Sequence, residues 1–107
     1  MRTRAKVDAN QPDIVQALRG VGASVLHIHQ IGKGAPDIVV GFRGKNYLLE
    51  IKDGSLPPSA RGLTPDEEEF HAIWRGNVAT VKNCDEALTV IGARLVIKGV
   101  NDGDVQS

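Results

Sequence analysis

The chain has one cysteine, no net charge and no long apolar run, and each shortage removes a class of protein. A lone Cys84 has no partner within the chain, so no intramolecular disulfide framework is expected. Three histidines with that single cysteine lack the paired spacing of a structural zinc site. Nothing approaches the ~20 consecutive apolar residues of a membrane-spanning helix, and no secretory leader is read at the N-terminus. A reducing cytoplasm fits these features. The phosphate-binding pattern GxxxxGK[ST] is missing, which argues against a nucleotide-binding loop around Lys33. Neither G-x-S-x-G nor a Cys/His pairing points to a covalent nucleophile.

The 107 residues amount to one domain, at a length where about two-thirds of the unfolded surface can be buried. Hydrophobic residues at 41% and charged residues at 24% are the ordinary balance of a soluble globular protein. Thirteen Lys and Arg against thirteen Asp and Glu leave the net charge uninformative, but the distribution is uneven. Residues 1–7 hold Arg2, Arg4 and Lys6 with no acid, and 66–69 are four acids in a row. The stretch 33–61 has five bases and three acids, so a divalent cation held by two of those acids would make that surface positive.

No repeat or low-complexity block divides the chain. Over 11–21, Ile14, Ala17, Leu18 and Val21 follow the spacing of one helical face, Pro12 suits a first turn, and Gly20 and Gly22 stop the helix. Residues 24–29 alternate Leu26 and Ile28 against Val25, His27 and His29, the pattern of a strand with one core face. Two strand patterns, 37–42 and 47–52, flank Arg43-Gly44-Lys45-Asn46, and a turn centred on Gly44-Lys45 makes them an antiparallel hairpin. Thr64-Pro65-Asp66-Glu67 carries an N-cap, a first-position proline and the acid of a capping box. The helix it opens shows Phe70, Ile73 and Trp74 as its core side and ends at Gly76. A short strand over 77–82 precedes a helix capped by Asn83, with Cys84, Ala87, Leu88 and Ile91 on one face. Residues 94–98 read as a last strand and 101–107 as a polar, frayed tail. The order helix, strand, strand, strand, helix, strand, helix is an α/β arrangement around a mixed sheet.

The hairpin brings charges together. With Arg43 opposite Asn46, Val39 lies opposite Glu50 and Asp37 opposite Lys52, and directly paired residues share a sheet face. Ile38, Val40, Leu49 and Ile51 then point the other way, into core. Two carboxylates this close repel unless a hard cation lies between them, and Mg²⁺ prefers one or two carboxylates with waters and phosphate completing its shell. A neighbouring lysine orients or deprotonates an attacking water, or stabilises the transition state. The cluster suits metal-assisted hydrolysis of a phosphodiester.

Pro36-Asp37, twelve intervening residues and Glu50-Ile51-Lys52 resemble the motif of the PD-(D/E)XK nucleases, and the element order is similar to their αβββαβ, restriction-endonuclease-like core over about 8–92. Asp8-Ala9-Asn10-Gln11, the hairpin PDIVVGFRGKNYLLEIKDG and the helix LTPDEEEFHAIWRG more narrowly resemble the stand-alone VRR-NUC domains of phages and bacteria. That resemblance implies a single nuclease domain over 1–107. The function implied is a structure-specific DNA endonuclease dependent on Mg²⁺ or Mn²⁺, acting on four-way junctions as a homodimer. It implies Asp37 and Glu50 as metal ligands, the Ile51 carbonyl completing the shell, and Lys52 as the catalytic lysine. Gln11 stands where the family often has a Glu or Gln on the first helix, as a supporting residue. Glu67 stands where it often has a Gln on the second, as a further candidate ligand. Lys33 and Arg61 are candidate contacts to the DNA backbone. His27 and His29 are read as half-exposed strand residues. Cutting of flaps, nicks or splayed ends is an alternative substrate geometry, and a catalytically silent DNA-binding module is the alternative from another class. Residues 94–100 are the candidate dimer surface. With no recognition helix, shape readout through phosphates and strong salt dependence are expected.

Overall fold

The structure, a computed structural model, describes residues 8–60 and 62–94. The basic cluster of 1–7, Arg61, the strand expected over 94–98 apart from Arg94, and the tail 101–107 lie outside the described residues.

Helix α1 (Gln11–Gly20) begins with Pro12 in its first turn and buries Ile14, Val15 and Leu18. It closes where Ala23 N–H returns to Leu18 O at 3.1 Å. Strand β1 (Ser24–His27) pairs antiparallel with β2 (Ile38–Phe42), and β2 with β3 (Lys45–Ile51). The chain then crosses over through α2 (Pro65–Ile73) to β4 (Val78–Val81), which runs parallel to β3. Helix α3 (Cys84–Val90) follows, its first turn held by Asn83 Oδ1 accepting from Glu86 N–H at 2.8 Å. The sheet order is β1-β2-β3-β4, a mixed sheet as expected. Among the described residues no helix is long and apolar enough to cross a membrane.

The hydrophobic core lies on one sheet face, under α1 and α3. Ile38, Val40, Leu49, Ile51 and Val81 from the sheet meet Ile14 and Leu18 of α1 and Ala87, Leu88 and Ile91 of α3. Each fully buried Leu or Ile contributes about 1.5–3 kcal/mol. Leu18→Ala is expected to destabilise the fold by about 2–5 kcal/mol, read as a lowered denaturation midpoint in urea.

Three expectations are corrected by this arrangement. The hairpin turn is Arg43-Gly44, with φ of 54° and 81° at its two residues, so Phe42 pairs with Lys45 rather than Tyr47 and Ile38 with Leu49. Two successive positive φ angles define the tight turn whose twist matches the strands, and the glycine carries the second without strain. The register therefore shifts by two, which keeps the hairpin side chains on their predicted faces but removes the expected pairing of Asp37 with Lys52, and Asp37 N–H donates to Leu49 O instead. On β1 the core-facing residue is Val25, opposite Val40, while Leu26 is 62% exposed. Finally, α2 buries none of its residues: Ile73 is 66% and Trp74 45% exposed. The core face is already filled by α1 and α3, so α2 lies away from it. Its last helical residue is Ile73, Trp74 turns extended, and Phe70 and Trp74 stack on each other at 5.2 Å.

Asn10 is spent across the sheet. Rather than capping α1, its Nδ2 donates to Lys52 O at 3.1 Å and to Lys82 O at 2.9 Å, tying the helix start to the ends of β3 and β4.

Candidate active site

The far sheet face carries the chemistry. Ile28 N–H donates to Asp37 O at 2.9 Å and Asp37 N–H to Leu49 O at 3.0 Å, so the ladder fixes the aspartate backbone from both sides. At the next position the main chain of β3 gives its hydrogen bond to a side chain: Ile51 N–H donates to Asp37 Oδ2 at 2.7 Å. Asp37 is thereby oriented by the strand that carries Glu50 and Lys52 on either side of that amide.

Glu50 is only 4% exposed, and its Oε1 has no hydrogen-bond partner among the described residues. Its other oxygen stands 3.6 Å from Lys52 Nζ. Lys52 Nζ also donates to Glu67 Oε1 at 3.0 Å. That same oxygen accepts from Thr64 N–H at 2.9 Å, completing the predicted capping box of α2. The first turn of α2 is thus both the helix cap and an anchor for the lysine.

These groups line a cavity of about 290 Å³. Asp8, Asp66 and His29 line it too, although the sequence reading did not place them there. Asp8 belongs to the segment singled out before α1, and an acid there was the available signal. His29 had none, because it leaves the strand and begins a 3-10 turn, His29–Ile31. Gly32 and Gly34 form part of the rim on either side of the exposed Lys33. A side chain at Gly34, whose φ is 79°, would collide with the backbone of Asp66, so the β1–β2 loop can close on α2 only with glycine there. Gln11 does not line this cavity. It is buried on the other side of His29, where its Nε2 meets His27 Nδ1 at 3.3 Å. Arg61 is outside the described residues.

Five carboxylates and one lysine in one cavity set its electrostatics. Burial, then the charges of Asp37 and Glu67, push the Glu50 carboxyl up to about 8. Asp37 is raised as well, chiefly by burial, against the lowering effect of the Ile51 hydrogen bond. Burial also disfavours the Lys52 ammonium, but the Glu67 hydrogen bond and the charges of Glu50 and Glu67 outweigh it and raise its pKa. Glu67 is pulled below the usual range, since the Thr64 and Lys52 hydrogen bonds exceed its burial cost.

A hard divalent cation fits these residues. Among the described residues no three His, Cys, Asp or Glu side chains group to close a cation cage alone. The donors are instead a carboxylate pair, one of whose oxygens is buried and unpaired, beside a strand backbone. An all-oxygen pair that leaves positions for water and phosphate suits Mg²⁺ or Mn²⁺ rather than a soft metal.

No family model matches the sequence, and no curated protein matches it. A solved structure described as a VRR_NUC domain aligns with 78% of this chain and 96% of its own, at a TM-score of 0.57 and 22% identity. The mixed sheet of four strands among the described residues, its flanking helices and that likeness together show that this chain has the fold of that VRR_NUC domain structure.

Proposed function

We propose that the protein is a divalent-metal-dependent endonuclease that hydrolyses phosphodiester bonds in branched DNA, cutting four-way junctions as a homodimer in the cytoplasm. The observation that carries this reading is the buried, half-unpaired Glu50 carboxylate beside Asp37, with the Lys52 ammonium reaching the same cavity. Such a cavity repels a phosphate unless a cation enters with it.

In this reading Asp37, Glu50 and the Ile51 carbonyl hold Mg²⁺ or Mn²⁺. The bound ion supplies Lewis-acid charge neutralisation at the phosphate and a more acidic water. Lys52 donates to oxygen where negative charge develops as water oxygen bonds to phosphorus and one ester oxygen leaves with a proton. Glu67 holds Lys52 in place and remains a candidate outer ligand. Gln11, in contact with His27 at 3.3 Å, is the supporting residue behind the site. Lys33 on the loop rim and Arg61 contact flanking phosphates, which gives affinity without base reading. The homodimer follows from substrate symmetry, because resolving a four-way junction takes two symmetric cuts and a twofold assembly provides two such cavities.

The test is cleavage of a labelled four-way junction beside a flap, a nicked duplex and a linear duplex, with Mg²⁺, Mn²⁺ or EDTA. Paired symmetric cuts in the junction, lost with EDTA, are the expected result. Cutting confined to flaps or nicks would replace the junction assignment, and binding without cutting under any metal would sink the enzyme in favour of a silent DNA-binding module.

A further inference from the structure

A second depression adjoins the catalytic cavity, sharing His29 with it and Gln11 with the supporting side of the site. It lies between α1 and the edge strand β1, holds about 470 Å³, and is walled by Pro12, Val15 and Gln16 on one side and by His27 and His29 on the other. His29 lines both this groove and the catalytic cavity, so the two are neighbours across one imidazole. The volume falls in the range of small-molecule sites, about 300–1,000 Å³.

Its floor is built and polar. Gln11 is 2% exposed, its Nε2 is engaged with His27 Nδ1 at 3.3 Å, and its Oε1 has no partner among the described residues. A buried acceptor left open is unfavourable, and a ligand donor reaching the floor would satisfy it. His29 Nδ1 is likewise buried without a partner among the described residues. At the far end Arg19 uses one guanidinium nitrogen on Val25 O at 3.3 Å, and an arginine carries five N–H donors, so others remain for a phosphate.

We propose that this groove is a nucleoside subsite, filled by an unpaired nucleotide next to the phosphate held in the catalytic cavity. The inference rests on the nuclease reading and names what that nuclease senses. Pro12 and Val15 offer apolar surface to a base face, while the amides of Gln11 and Gln16 both donate and accept and so suit any base edge. Arg19 then meets the next phosphate along the strand. A base still paired within a duplex cannot enter without unstacking, whereas a base at a branch or mismatch has already lost much of that stability. The groove therefore selects DNA by structure and not by sequence.

The test uses four-way junctions and linear duplexes carrying 2-aminopurine on either side of the cut phosphate. Fluorescence is read on binding the full chain with Ca²⁺, and cleavage of the same DNA is read with Mg²⁺. Wild type is expected to give at least a threefold fluorescence rise at one of the two junction positions and none in the duplex. Gln16→Trp fills the groove from an exposed helix position. It is expected to abolish the rise and to cut the junction-over-duplex cleavage ratio at least tenfold, with an unchanged thermal midpoint to show that it folds. Cleavage by wild type without any rise would overturn the subsite and leave the nuclease standing, as would a rise that Gln16→Trp does not diminish. A rise with no cleavage of any DNA would sink the nuclease reading and keep the groove as a base-binding site.

Discussion

Replacing Glu50 with Gln is expected to raise the thermal midpoint of the metal-free protein at pH 8 while lowering DNA cleavage by about 10³-fold. Glu50 is 4% exposed and its pKa lies at about 8, against an ordinary 4.5, because burial and the charges of Asp37 and Glu67 all disfavour its ionised form. The folded state therefore keeps a proton that the unfolded chain releases between these two values. Folding stability falls as pH rises from about 5 to 8 and levels off above that, once both states are ionised. Asp37, also raised, adds in the same direction. Glu67, lowered, stabilises the fold above its ordinary value and loses that contribution only in acid. Each pKa unit corresponds to about 1.4 kcal/mol, so the Glu50 effect is on the order of a few kcal/mol, at about 4–8 °C of thermal midpoint for each in a domain of this size. A neutral amide removes the slope. Melting curves in EDTA from pH 5 to 9 would show a falling midpoint for wild type and a flatter one for Glu50→Gln. Mg²⁺ added at pH 8 is expected to raise the wild-type midpoint and leave the variant nearly unmoved, since a ligand that binds only the folded state stabilises it. A wild-type midpoint indifferent to pH and to Mg²⁺ would sink the assignment of Glu50 as a buried metal ligand.

The hairpin residues were legible because they sit on strands β2 and β3 or immediately beside them, where a period of two separates one sheet face from the other without knowledge of the rest. Ile38, Val40, Leu49 and Ile51 are all buried as read, and Asp37, Glu50 and Lys52 line one cavity. The register was misread because the turn could be centred on Gly44-Lys45 or on Arg43-Gly44, and only the second, with Arg43 at φ 54°, occurs. A shift of two preserves the faces, but it removes the expected pairing of Asp37 with Lys52. Helix caps were legible for the same local reason: Thr64, Glu67 and Asn83 lie within four residues of the amides they serve. The apolar side of α2 was not, because periodicity records that Phe70, Ile73 and Trp74 share a face without recording whether anything is left to cover it. His29 and Gln11 depended on the path of a loop and on a contact between α1 and β1, neither of which has a sequence pattern.

Lys52→Ala is expected to lower the cleavage rate by about 10³-fold while leaving junction binding within a few fold, and Glu67→Gln to lower it by only about tenfold. The difference follows from what each side chain touches. Among the described residues Lys52 is the only lysine or arginine lining the cavity, and it acts on the reacting phosphate in the proposed chemistry, so its loss removes a transition-state interaction and appears in kcat. Glu67 acts through Lys52: its Oε1 sits 3.0 Å from Nζ and 2.9 Å from Thr64 N–H. An amide in its place keeps the acceptor oxygen and the cap but gives up the negative charge that steadies the ammonium, and a neutral hydrogen bond is about half as strong. Glu67→Ala loses both and is expected to cost about 1 kcal/mol of stability as well, through the broken cap. Single-turnover cleavage beside equilibrium binding separates the cases. If Lys52→Ala cut at the wild-type rate, the lysine would be a structural counter-ion for Glu50 and Glu67, and the charge donor would have to be sought elsewhere on the cavity wall, first at His29.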